Sequence, residues 1–141
     1  MEARVKWVEE RTFLGEAGSG HSVVMDGAPE AGGRDLGIRP MEMLLLGLGG
    51  CAAFDVVHIL EKSRQPVADC VVAVAAERAA TDPKVFTRIQ LRFRIAGRGL
   101  DAAKVRRAVE LSAEKYCSAS VMLGKTAKIT HEIEIAESPG G

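Results

Sequence analysis

From Pro40 to about Arg64 the chain reads as a single helix that is apolar on nearly every side. The run Leu44-Leu45-Leu46-Gly47-Leu48-Gly49-Gly50-Cys51-Ala52-Ala53-Phe54 contains no charge at all. A helix with one polar face can rest on a sheet, but one without a polar face must be covered all round. In a chain of 141 residues one sheet covers only one side. A second copy of the chain is therefore the expected source of the remaining cover, and a homodimer is the expected state. Pro40 suits a first helical turn, Glu42 sits favourably near the helix N-terminus, and Gln65-Pro66 ends the run. Met43 to Leu60 approaches the length of a membrane span, about 20 residues. Asp55, His58 and three glycines interrupt it, so a soluble, cytoplasmic protein is expected, without a membrane partner.

The segments around this helix read as strands and one further helix. Ala3, Val5 and Trp7 alternate with Arg4 and Lys6, and Val23-Val24-Met25 precedes an Asp26-Gly27 turn. A glycine-rich loop spans Ala28 to Arg39. Val67 to Ala80 and Val85 to Ala96 are two strands joined by the turn Asp82-Pro83-Lys84, an antiparallel hairpin. In the second of them Ile89, Leu91, Phe93 and Ile95 are expected to face inward, and Arg88, Gln90, Arg92 and Arg94 outward. Asp101 is placed to cap a second helix, with Leu100 and Val105 as a hydrophobic staple. Its buried stripe is expected at Val105, Ala108, Val109, Ser112 and Tyr116. Ala127 to Ile135 forms a last strand, and Ser138-Pro139-Gly140-Gly141 a frayed tail. This order is α+β, in one domain over 1–141, without the alternation of a parallel doubly wound sheet.

Composition narrows the functional classes. The formal net charge is zero and aromatic residues make up only 4%. Neither an electrostatic nor a base-stacking surface for nucleic acid is expected. No signal peptide pattern opens the chain. Cys51, Cys70 and Cys117 form no CxxC or metal spacing, and the histidines His21, His58 and His131 have no metal-ligand spacing. No metal and no cofactor are expected. The Gly32-Gly33 loop lacks the nucleotide-binding patterns.

Cysteine chemistry remains. A free cysteine in an apolar helix often behaves as a small hydrophobe. Three helix glycines at about 1 kcal/mol each relative to alanine ask for a reason, however. One reason is a local break leaving free amides beside the Cys51 sulfur, which would favour its thiolate. Cys117 ends an amphipathic helix, where the dipole disfavours a thiolate. That suits a resolving cysteine better than an attacking one, and simple packing at a helix end is the alternative. Cys70 alternates within an apolar strand and reads as core. His58, seven residues after Cys51, shares its helix face and reads as a hydrogen-bonded core histidine. Arg88, Arg92 and Arg94 read as a solvated sheet face.

The stretch Pro40 to Ile59, with Lys115-Tyr116-Cys117-Ser118 downstream, resembles the OsmC/Ohr family (osmotically inducible protein C and organic hydroperoxide resistance protein). The order of elements is similar over nearly the whole chain. The resemblance implies an OsmC-like fold, with antiparallel sheets wrapped around central helices in an intertwined homodimer. It implies metal-free reduction of organic hydroperoxides, with Cys51 peroxidatic and Cys117 resolving. A dithiol reductant, notably a lipoylated protein, regenerates such relatives.

The chain departs from the family pattern at one point. Relatives with strong peroxidase activity place a glutamate directly after the proline, paired with an arginine beside the thiolate. Here Met41 holds that position and the acid is Glu42, a shift that turns a helical side chain by about 100°. Arg11 is the first candidate for the arginine and Arg39 the second. Two other readings share the same fold: a non-catalytic dimer holding an apolar metabolite, and a thiol redox sensor or carrier.

Overall fold

The computed structural model describes residues 1–138. They fall into two compact units, Met1–Leu45 and the described residues from Leu46 onward.

In the first unit, β1 (Ala3–Glu9), β2 (Thr12–Ala17) and β3 (Ser22–Met25) form an antiparallel sheet in that order. The register runs from Ala3 opposite Ala17 to Phe13 opposite Met25. The β1–β2 reversal uses Glu10 at a φ of 50°. Asp26 is buried after β3 and organises the glycine-rich loop. Burial pushes its carboxyl pKa up, but four hydrogen bonds outweigh that and hold it below the ordinary carboxylate value. Their donors are the Thr12 hydroxyl at 2.8 Å and the amides of Gly27, Arg34 and Leu36 at 2.7, 3.3 and 3.4 Å.

Helix α1 runs unbroken from Pro40 to Lys62. The break expected near Cys51 does not occur. Its glycines cost roughly 3 kcal/mol together, whereas burying Leu48, Val56 and Leu60 contributes about 1.5–3 kcal/mol each. Gly49 has a packing reason, since a Cβ there would lie 3.1 Å from Val74 Cγ2. Gly47 and Gly50 are exposed and face open space. α1 is long and apolar enough to cross a membrane. Its Leu48, Ala52, Val56 and Leu60 are nonetheless fully buried on one face, as in a core helix.

In the second unit, β4 (Val67–Arg78), β5 (Phe86–Gly97) and β6 (Lys128–Glu137) form a sheet in that order. The β4–β5 hairpin is antiparallel, from Val67 opposite Gly97 to Arg78 opposite Phe86. Ile89, Leu91, Phe93 and Ile95 are buried as expected. Arg88, Arg92 and Arg94 are exposed, in ion pairs with Glu77, Glu132 and Glu134. β6, by contrast, pairs with β5 in parallel, from Arg88 opposite Lys128 to Gly97 opposite Glu137. The sheet is therefore mixed rather than wholly antiparallel. A parallel neighbour needs a crossover of a dozen or more residues, usually helical, and α2 (Ala102–Leu111) with α3 (Ser118–Leu123) supply it. Pro139 to Gly141, most of the expected frayed tail, lie outside the described residues. The Ser138 amide donates to the Gly97 carbonyl at 3.0 Å.

Candidate active site

Two elements bring the chemistry together within the second unit. α1 carries Cys51 and, one turn later, Asp55. The segment after α2 carries Ser112 and Cys117. α2 starts where expected, with Asp101 Oδ1 accepting from the amides of Ala103 and Lys104 at 2.9 and 3.3 Å. Val105, Ala108, Val109 and Ser112 are buried as the α-helical period predicts. Tyr116 is not: half of it is exposed. Ser112–Tyr116 forms a π turn, in which the Cys117 amide donates to the Ser112 carbonyl at 2.8 Å. A π turn inserts one extra residue into a helix. The inward position expected at Tyr116 therefore passes to Cys117, which is fully buried.

Cys117 also differs from expectation in its helix position. It does not merely end a helix but caps the next one, its sulfur accepting from the Ser120 amide at 3.4 Å. Burial pushes the Cys117 thiol pKa above its ordinary value. Hydrogen bonding from Ser120 opposes that shift, and the neighbouring Cys51 adds to it.

The reactive atoms of Cys51, Asp55 and Cys117 all lie within 4.8 Å of one another. Cys51 is half-buried and Cys117 buried, and neither is in a disulfide. The Ser112 hydroxyl sits behind this group, 3.2 Å from Asp55 Oδ2, to which it donates, and 3.5 Å from the Ala52 carbonyl. An open cleft of about 500 Å³ reaches this group at Asp55, and His58, Ile59, Leu111 and Tyr116 are among its other lining residues.

Asp55 was not among the residues expected at the site. Its signal was its place four residues after Cys51, which puts both on one helix face. His58 is exposed and stacks on Phe54 rather than lying hydrogen-bonded in a core, their ring centroids 6.3 Å apart. Cys70 is half-buried on β4, its thiol pKa raised first by burial and then by Asp69. His131 faces inward on β6, stacked on Phe93, and burial lowers its pKa.

The other three expected residues belong to the first unit or to the start of α1. Arg39 and Glu42 meet: the Arg39 amide donates to Glu42 Oε1 at 2.9 Å, and its guanidinium lies 3.9 Å from that oxygen. Arg39 also pairs with Asp35, a hydrogen bond that holds its pKa up. Arg11 is exposed and donates to the Glu10 carbonyl at 3.3 Å.

The model of the OsmC family, described as OsmC-like protein, matches residues 32–132. The chain belongs to the OsmC family. Protein YhfA of Escherichia coli strain K12 is 53% identical to it over 135 residues, covering 96% of this chain and 98% of that protein. A hypothetical protein of Aquifex aeolicus VF5 has a similar solved structure, at 29% identity and a TM-score of 0.86, covering 98% of this chain and 97% of that one. The organic hydroperoxide resistance protein OhrB of Bacillus subtilis shares the fold at 18% identity and a TM-score of 0.63, covering 95% and 98% of the two chains. The OsmC-like α+β fold expected from the sequence is the one observed.

Proposed function

We propose that this OsmC family protein is a cysteine-based peroxidase that reduces organic hydroperoxides to alcohols. The observation that carries this reading is the pair of sulfurs, Cys51 and Cys117, within 4.8 Å. They reside on elements distant in sequence, inside one unit, next to Asp55, which lines an open cleft. The name of the Bacillus subtilis relative points to the same substrate class.

In this reading the Cys51 thiolate attacks the distal oxygen of ROOH. The O–O bond breaks and the alkoxide takes a proton to leave as ROH. Cys51 is left as a sulfenic acid. The Cys117 sulfur then attacks the Cys51 sulfur and expels water, closing a disulfide. That bond needs the sulfurs at about 2.0 Å, so the two side chains have to draw together from their separation in the reduced form. An external dithiol, such as a lipoylated protein, reopens the bond by thiol–disulfide exchange. Ile59 and Leu111 in the cleft favour an organic R group over hydrogen peroxide.

Of the two candidate arginines, Arg39 is the one that forms an ion pair with Glu42. The cytoplasm supplies the reducing dithiols that this cycle consumes. The test is consumption of cumene hydroperoxide coupled to NADPH through a lipoyl reductant. Activity is expected in the wild type and lost in Cys51→Ser. No turnover, or turnover unchanged in Cys51→Ser, contradicts the proposal.

A further inference from the structure

The same three side chains make a second kind of site. Two cysteine sulfurs and a carboxylate oxygen, all mutually within 4.8 Å, are the donor set of a thiophilic divalent cation. We propose that the reduced protein binds one zinc-class ion through Cys51, Asp55 and Cys117, and that this ion and an organic hydroperoxide compete for the same thiols. The inference rests on the geometry of the proposed active site, not on its turnover.

The donor types choose the metal. Thiolates select soft or borderline ions such as Zn²⁺ over Mg²⁺ and Ca²⁺, which take oxygen ligands. With Zn–S near 2.3 Å and Zn–O near 2.0–2.2 Å, tetrahedral ligand atoms stand about 3.5–3.8 Å apart. The observed group therefore has to contract by roughly 1.3 Å at most, within reach of side-chain rotation. Three protein ligands leave one tetrahedral position for water, as in open zinc sites.

The surroundings fit as well. A ligating carboxylate is normally held by a hydrogen bond of its own, and the Ser112 hydroxyl donates to Asp55 Oδ2 at 3.2 Å. The Ser120 amide likewise holds the Cys117 sulfur at 3.4 Å. The cleft that Asp55 lines provides an entry path. No lysine, arginine or histidine among residues 46–138 forms an ion pair with Asp55, so a bound cation displaces none. Binding is balanced by loss of two thiol protons: two Cys–SH, one carboxylate and Zn²⁺ give the three-ligand complex and two H⁺. No oxidation occurs. In the disulfide form neither sulfur is a thiolate, so the site exists only in the reduced protein.

The experiment is titration of the full-length reduced protein with Zn²⁺ against a chromophoric chelator, followed by the same titration after oxidation to the disulfide. One ion per chain is expected for the reduced form, with affinity at least 100-fold weaker after oxidation. Co²⁺ in place of zinc is expected to give thiolate-to-metal charge-transfer absorption in the wild type, a readout that needs no variant. Ser112→Ala is expected to weaken binding about 10–100-fold, and Cys117→Ser to weaken it further, while Cys70→Ser binds as the wild type does. Equal binding by reduced and oxidised protein, or absence of the cobalt band, overturns the site. Peroxidase activity without zinc binding overturns this inference alone. Zinc binding without peroxidase activity supports it and contradicts the proposed turnover.

Discussion

At Cys117 three influences compete over one proton. Full burial disfavours the thiolate, the Ser120 amide at 3.4 Å favours it, and the nearby Cys51 disfavours it again. Burial prevails, so the thiol pKa lies above its ordinary value. At neutral pH Cys117 is then a protonated partner that waits, which suits resolution and not attack. The fold prefers the neutral thiol, so this group contributes stability below its unfolded pKa and loses it as pH rises through the folded one. In a Cys51→Ser/Cys70→Ser variant, alkylation of Cys117 by iodoacetamide is expected to rise with a midpoint above 9.0 when folded. In urea the midpoint should fall to about 8.5. A folded midpoint at or below the unfolded one would show that burial does not govern this sulfur.

At the scale of elements, the delivery of Cys117 depends on how α2 begins and ends. Asp101 satisfies two free amides at its start, and removing such a cap costs about 1 kcal/mol. Asp101→Ala is expected to lower the urea midpoint by roughly 0.3–1 M, that loss divided by a slope of about 1–3 kcal/mol/M, with the slope unchanged, and an unaltered midpoint would mean the cap contributes nothing here. The cap, the long apolar helix and the β4–β5 hairpin were legible because each rests on local rules: an aspartate before a helix, a 3.6-residue period, a two-residue period broken by a proline turn. The parallel partner of β5 was not legible, because pairing between β5 and β6 is decided across the whole helical crossover. Nor was the π turn, since nothing in Ser112-Ala113-Glu114-Lys115-Tyr116 marks an extra residue. Counting by four from Ser112 gives Tyr116, and the structure puts Cys117 there instead. For the site, both cysteines were legible as types, while in the sequence Asp55 only interrupts an apolar run. Its value appears only when Ser112 and Cys117 arrive from the other element.

For the whole molecule, the exposed side of α1 is the remaining question. Leu46 and Phe54 are 62% and 74% exposed, and Gly47 and Gly50 beside them face open space. On β4, Val71 is exposed to 48% as well. Such a surface on an otherwise charged chain fits a second copy, as the all-round apolar character of the sequence from Pro40 onward requires. In a two-fold dimer each side chain counts twice. Burying two phenylalanines or leucines is worth roughly 3 kcal/mol or more, about 100-fold in the dissociation constant. Phe54→Asp removes that contribution and sets two carboxylates within one interface. We expect the wild type to sediment as a dimer at micromolar concentration, and Phe54→Asp to dissociate at concentrations at least 100-fold higher. The β4–β5 hairpin and α2 do not depend on Phe54, so the variant should keep its circular dichroism while losing mass in sedimentation. A monomeric wild type would leave the apolar face without its expected cover and would remove the physical reason for a helix with no polar side.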